Sequence, residues 1–366
     1  MHGRLAQLAV FSFVAALPGQ ELASTPGPGT GPTLVVLNKS AASASLLDPV
    51  SGEERARIAV GEGPHEAATS PDGRTVVVCD YGAQKPGNTL TVIDLRAAKV
   101  VRTIELARTV ERDGEAATER YLRPHGVQFL PDGKHVVVTS EMQRKLIVVD
   151  VENGVVERAI DTDARASHMV ALAVDGKRAF VANIGSGSVS VIDLEKDALL
   201  AVVETGRGSE GIAVRPASGE VWVTNREADT LSVVDPEKLV ELAELACGAF
   251  PIRVAFTPDG RHALVSCARA GTLEVWDASE RKRVREIAMD SAPTDEAKGD
   301  RIFAGEFADS PVPVGVLVEP TGRSAFVANT QADVVTVIDL GTWAIARRLK
   351  AGPEPDGMAW VPAAAK

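Results

Sequence analysis

Three of the six histidines, His65, His125 and His168, fall on one position of consecutive copies of a short sequence pattern, and the next copy carries Glu210 there. Imidazoles and a carboxylate brought to one place are ligands for a transition ion. Three His and one carboxylate suit Zn, Cu or Fe better than Ca or Mg. Three imidazole ligands would leave a coordination position for water or substrate. On this chemistry His65, His125, His168 and Glu210 are the candidate metal ligands. Glu210 is a fourth ligand or a catalytic general base. The competing reading is structural, with histidines that fill a channel mouth and bond to backbone.

The repeat must position these residues. The column continues as Ile252, Val314 and Asp356, in steps of 42 or 43 residues with two longer steps of 60 and 62. A period of about 42 lies within the range of four-stranded propeller blades. The extra residues of the long steps, 107–123 and 288–312, read as loop insertions that enter on the face of the column, where such loops often cover sites. Each copy has four short apolar runs. In the copy starting at His168 they are 170–173, 179–182, 189–192 and 199–203. The N-terminal copy has only three runs, at 34–37, 44–47 and 55–60, and the C-terminal copy only one, at 356–361. Together they make one blade. The expected fold is all-β: a seven-bladed β-propeller over residues 33–362, closed by three N-terminal strands plus one C-terminal strand. Closure removes exposed sheet edges.

In such a ring the last blade abuts the first, so Asp356, His65, His125, His168 and Glu210 form one polar arc. Ile252 and Val314 form the opposite arc, a wall for substrate, with Arg253 beside it. Asp80, Tyr81, Ser140 and Glu141 follow second strands and open on the same face. Glu141 and Asp80 are candidates for orienting the imidazoles, with turn capping the alternative for Asp80. Tyr81 is a candidate ligand contact.

The segments Phe180-Val181-Ala182-Asn183, Trp222-Val223-Thr224-Asn225 and Phe326-Val327-Ala328-Asn329 each precede an apolar third run. They resemble the YVTN-repeat propellers, including the YncE-like members, and the resemblance covers residues 33–362. It implies a secreted or periplasmic seven-bladed propeller. Related propellers include lactonases and the haem d1 domain of nitrite reductase, so the fold does not choose a function. No Cys-x-x-Cys-His haem attachment motif is present. The recurrent Asn stands at Asn38, Asn183, Asn225 and Asn329, and becomes Asp80, Ser140 and Cys267 elsewhere.

The formal charge of -11, with no basic cluster, argues against a nucleic-acid partner. Arg4 followed by an apolar stretch over 5–17 reads as an export signal within residues 1–23, ahead of a Pro/Gly linker over 24–32. The stretch is too short to span a bilayer comfortably. The expectation is a periplasmic or secreted monomer with no membrane span after signal removal. Its partner would be a small molecule or a protein at the top face. Of the three cysteines, Cys79 reads as packing. Cys247 and Cys267 should lie near each other on the top face, as a disulfide or as two thiols.

Overall fold

The computed structural model describes residues 31–216, 218–291, 301, 306–307 and 309–363. The expected signal (1–23) and nearly all of the linker (24–32) lie outside the described residues. Strands run from Thr33 to Val361 in seven four-stranded antiparallel sheets, with no helix among the described residues. Blade one runs from Pro64 to Glu105, blade two from Pro124 to Asp161, and blade three from Ser167 to Glu204. Blade four runs from Ser209 to Ala246, blade five from Pro251 to Ala288, and blade six from Pro313 to Lys350. Blade seven pairs the C-terminal strand Pro355–Val361 with Thr33–Asn38, followed by Ser43–Leu47 and Glu54–Ala59. The protein is thus an all-β seven-bladed propeller closed by strand exchange between its termini.

The first strand of each blade touches the first strands of both neighbouring blades, so these strands line the central channel. Their close approach explains the Pro-His-Gly sequence of blade two. A Cβ on Gly126 would lie 2.7 Å from the backbone nitrogen of Val170 in the next blade. One on Gly357 would lie 2.2 Å from the carbonyl oxygen of His65. Real Cβ atoms do not come so near backbone.

Second and third strands are buried on both faces, as in Arg178–Asn183 and Ser188–Asp193. That is why they read as unbroken apolar runs rather than alternating ones. The core lies between blades. Val77 and Leu90 of blade one, for example, pack with Val136 and Val149 of blade two, and Cys79 sits fully buried among them. Each such side chain contributes about 1.5–3 kcal/mol by leaving water. The Asp that closes each third run caps the turn. Asp193 Oδ1 accepts from the backbone N–H groups of Glu195 and Lys196.

The first insertion departs from expectation. It is a β-hairpin, Ala107–Arg112 with Glu115–Arg120, rather than a loop. It packs against the outermost strand of blade two, where Arg108 reaches the carbonyl of Glu157 at 3.2 Å, and not over the channel. Leu106 and Tyr121 at its base are fully buried and tie it down. The described end of the second insertion does reach inward. Phe307 and Val312 pack on Ile252 and Val314.

Candidate functional site

One backbone device repeats at the mouth of every blade. The residue two places before the column has positive φ: Gly63, Arg123, Ala166, Gly208, Phe250, Val312 and Glu354. Five of these are not glycine. The left-handed conformation costs such residues roughly 1–2 kcal/mol each, and strain of this kind concentrates at ligand sites. The carbonyl of each of these seven residues accepts a hydrogen bond from an N–H at or just past the end of that blade's second strand, such as Arg226 N–H to Gly208 and Thr330 N–H to Val312, both 3.0 Å. The strain therefore fixes two rings of side chains around the channel. The lower is the expected column. The upper ring is Lys39, Tyr81, Glu141, Ile184, Arg226, Ala268 and Thr330, and all but Ala268 face the same cavity as the column.

That cavity is about 260 Å³ and is lined by every member of the column together with Arg253. Its polar side holds the three imidazoles as a stack. Ring centroids are 4.7 Å apart for His65 and His125, and 3.6 Å for His125 and His168. Tyr81 stands edge-on over His65 at 4.5 Å, and its hydroxyl donates to Glu141 at 2.8 Å. One ligand atom from each of His125, Glu141 and His168 lies within 4.8 Å of the others. His168 Nδ1 meets Glu141 Oε1, while His168 Nε2 sits 3.5 Å from Glu210 Oε1, long for a hydrogen bond. His125 Nδ1, His168 Nε2 and Asp356 Oδ1 are buried without a hydrogen-bond partner. Orphans of this kind in a polar cavity call for a ligand. His65 stands apart from the cluster, because its Nδ1 is taken by Asp356 at 2.9 Å.

The charges divide the histidines by role. Burial disfavours His168 as a cation, but Glu141 and Glu210 outweigh it and raise the imidazole above its usual range. Burial, then His168 and His65, push His125 well down, so it stays neutral. Burial and Lys39 push His65 to about 4 despite Asp356. Neutral imidazoles are the form that binds metal, so an ion at His168 would have to take the place of its proton.

Glu210 differs from expectation. Arg226 reaches it at 2.9 Å and Arg253 at 3.3 Å. Burial opposes its ionisation, yet His168, Arg226 and Arg253 hold the carboxyl down to about 2. So acidic a group is a poor general base. Asp80 also departs from the role of orienting imidazoles. It turns into its own blade, accepting from Thr89 at 2.7 Å, Thr91 at 2.9 Å and the Gly61 N–H at 3.1 Å. Burial raises its carboxyl to about 6 against those three bonds.

Two groups of residues escaped the sequence reading. Glu66 follows His65 at the position where four other blades have Gly, and it pairs across the channel with Arg253 at 2.6 Å. Lys39, Arg226 and Thr330 belong to the upper ring. The recurrent Asn was the available signal, since each of these follows one directly. His135 and His262 lie away from the cavity: His135 bonds Asp132 at 2.6 Å, and His262 meets Trp343 edge-on. The cysteines do meet. Donor atoms of Cys247, Cys267 and Glu274 lie within 4.8 Å of one another, and both thiols are free. Hydrogen bonding to Cys247 and burial push the Cys267 thiol far up.

A propeller whose channel mouth is closed by a histidine stack defines a class, and sequence comparison supplies the family. The family model described as the cytochrome D1 heme domain matches residues 102–296, more than half of the chain. This chain belongs to that family. No curated protein matches it in sequence. Among solved structures, hydrazine synthase of Kuenenia stuttgartiensis superposes with a TM-score of 0.66 at 16% identity, covering 81% of this chain and 89% of that one. A functionally unknown protein of Desulfotomaculum acetoxidans gives 0.69 at 14% identity, covering 90% and 99%. At these identities the likeness is one of fold.

Proposed function

We propose that the channel mouth is a transition-metal site in an exported propeller of the YVTN-repeat, YncE-like kind, and that it acts on a small molecule. The observation that carries this is the donor set of buried His125 and His168 with half-buried Glu141, and its two unpartnered imidazole nitrogens. Two imidazoles and a carboxylate suit Fe, Zn or Cu. His125 and His168 would hold the ion. Glu141 would ligate it or fix the His168 ring, with Tyr81 holding Glu141 in place. The ion would supply Lewis acidity or redox chemistry. The Ile252–Val314 arc would seat the apolar part of a substrate, and a cavity of about 260 Å³ suits a small molecule.

The family name raises a haem as the metal carrier. The lining side chains do not fit one. Three imidazoles packed at 3.6 and 4.7 Å leave no flat slot between them, and the carboxylates of Glu141, Glu210 and Asp356 line the same small cavity. A second reading, a non-catalytic binding scaffold, is favoured by the Glu66–Arg253–Glu210 ion network, which pairs charges across the channel.

The test is elemental analysis and absorption spectroscopy of tag-free protein. About one transition ion per chain is expected at this site, counted as the difference between wild type and His125→Ala. His125→Ala should lose it, and His262→Ala should keep it. Equal metal content in the two variants sinks the single-ion reading, and a tetrapyrrole absorption band replaces it with a haem.

A further inference from the structure

Blade five departs from a pattern that blades three, four and seven share. In those three blades the second strand ends in Asn, whose amide reaches hydroxyls five and seven residues onward; in blade six Asn329 keeps only the second, at Thr336. Asn38 donates to Ser43 at 3.1 Å and Ser45 at 2.8 Å. Asn183 donates to Ser188 at 3.3 Å and Ser190 at 2.9 Å. In blade five the same three positions are Cys267, Thr272 and Glu274. Cys267 cannot bond as an amide does, and Thr272 Oγ1 is left buried with no partner. Glu274 is a carboxylate at 0% exposure where the Asn blades have a hydroxyl. The approaching chain adds Cys247, whose thiol completes the cluster with Cys267 and Glu274. Gly248 leaves the space open: a Cβ there would lie 3.0 Å from both Cys267 Sγ and Glu274 Oε1.

We propose that Cys247, Cys267 and Glu274 form a second metal site, in blade five, for a thiophilic divalent ion of the Zn²⁺ class, with the orphaned Thr272 hydroxyl as fourth donor. Two thiolates and a carboxylate are among the ligand types of tetrahedral zinc. The carboxylate is already oriented: Trp276 Nε1 donates to Oε2 at 3.0 Å, and Arg283 binds Oε1. Such partners fix ligand direction. Two thiolates, one carboxylate, a divalent ion and the Arg283 guanidinium carry no net charge together, which makes burial tolerable. A disulfide would use the two thiols but would leave Glu274 and Thr272 unexplained. This site lies in a different blade from the histidine stack and does not depend on it.

Cobalt(II) added to reduced, tag-free, full-length protein is the probe. One equivalent should give an intense thiolate-to-cobalt charge-transfer band that Zn²⁺ abolishes. Cys247→Ser and Cys267→Ser should lose most of the band, and His125→Ala should keep it. Cys247 is only half-buried, so its variant tests the idea even where a change at Cys267 prevents folding. A reduced wild-type chain without the band, a band that survives in Cys247→Ser, or a Cys247–Cys267 disulfide in protein isolated without reductant would each overturn the proposal.

Discussion

Asn183 and His168 lie nearly opposite each other: Asn183 pairs in register with Ser167, one residue before His168. Asn183 turns into its blade and finds Ser167, Ser188 and Ser190, all within that blade. His168 turns into the channel and meets Glu141 of blade two and Glu210 of blade four. The inward column is satisfied mostly within its own blade and is Asn in four of seven blades, although Asn329 Oδ1 has no partner. The channel column is satisfied only by neighbouring blades, so it is free to vary and keeps orphaned atoms. Repetition marks structure here, and departure from it marks the site.

Ring closure gives the strongest test of that contrast. Deleting residues 356–366 removes the partner of Thr33–Asn38 and exposes it as an edge. The expected result is loss of the cooperative thermal transition and aggregation on size-exclusion chromatography. A truncated chain that melts like the intact one would show that the channel column does not need closure.

Next in size is Arg253→Ala. It leaves Glu66 and Glu210 buried without their shared guanidinium. Removing one partner of a buried pair typically costs about 3–5 kcal/mol. A urea denaturation midpoint should fall accordingly, and adding Glu66→Gln should recover part of the loss. A change below about 1 kcal/mol would show that the network is replaceable by water.

The smallest effect sharpens the inward column. Asp80 stands where Asn38 stands in blade seven, with Gly61, Thr89 and Thr91 in the places of Gly352, Ser43 and Ser45. Its carboxyl rises to about 6 in the fold. The native state therefore holds this proton more tightly than the unfolded chain. Stability from this group is full below the unfolded value near 3.8 and falls as pH rises through about 6. Asp80→Asn should stabilise the protein at pH 7.5 by about 2–3 kcal/mol, and by little at pH 4. Parallel urea curves at both pH values check this, and a gap that does not grow with pH would refute it.

The blade period, the seven-blade count, the strand exchange and the channel column were legible because each rests on local pattern repeated along the chain. The runs read at 179–182 and 189–192 became Arg178–Asn183 and Ser188–Asp193. The meeting of Cys247 and Cys267 was legible for the same reason. The upper ring was present in the sequence as the residue after each Asn column position, but nothing local says that Lys39 and Arg226 face one cavity.

By itself, the sequence determined where each strand begins and which residue types reach the channel, because alternation and turn chemistry act over a few residues. Only the tertiary structure decided which partner each of those residues takes. His65 is claimed by Asp356, nearly the whole chain away, and Glu210 by Arg226 and Arg253. Asp80 turned inward although its neighbour Tyr81 turned to the channel. Such choices depend on distances between blades, and those are set when the whole ring packs shut.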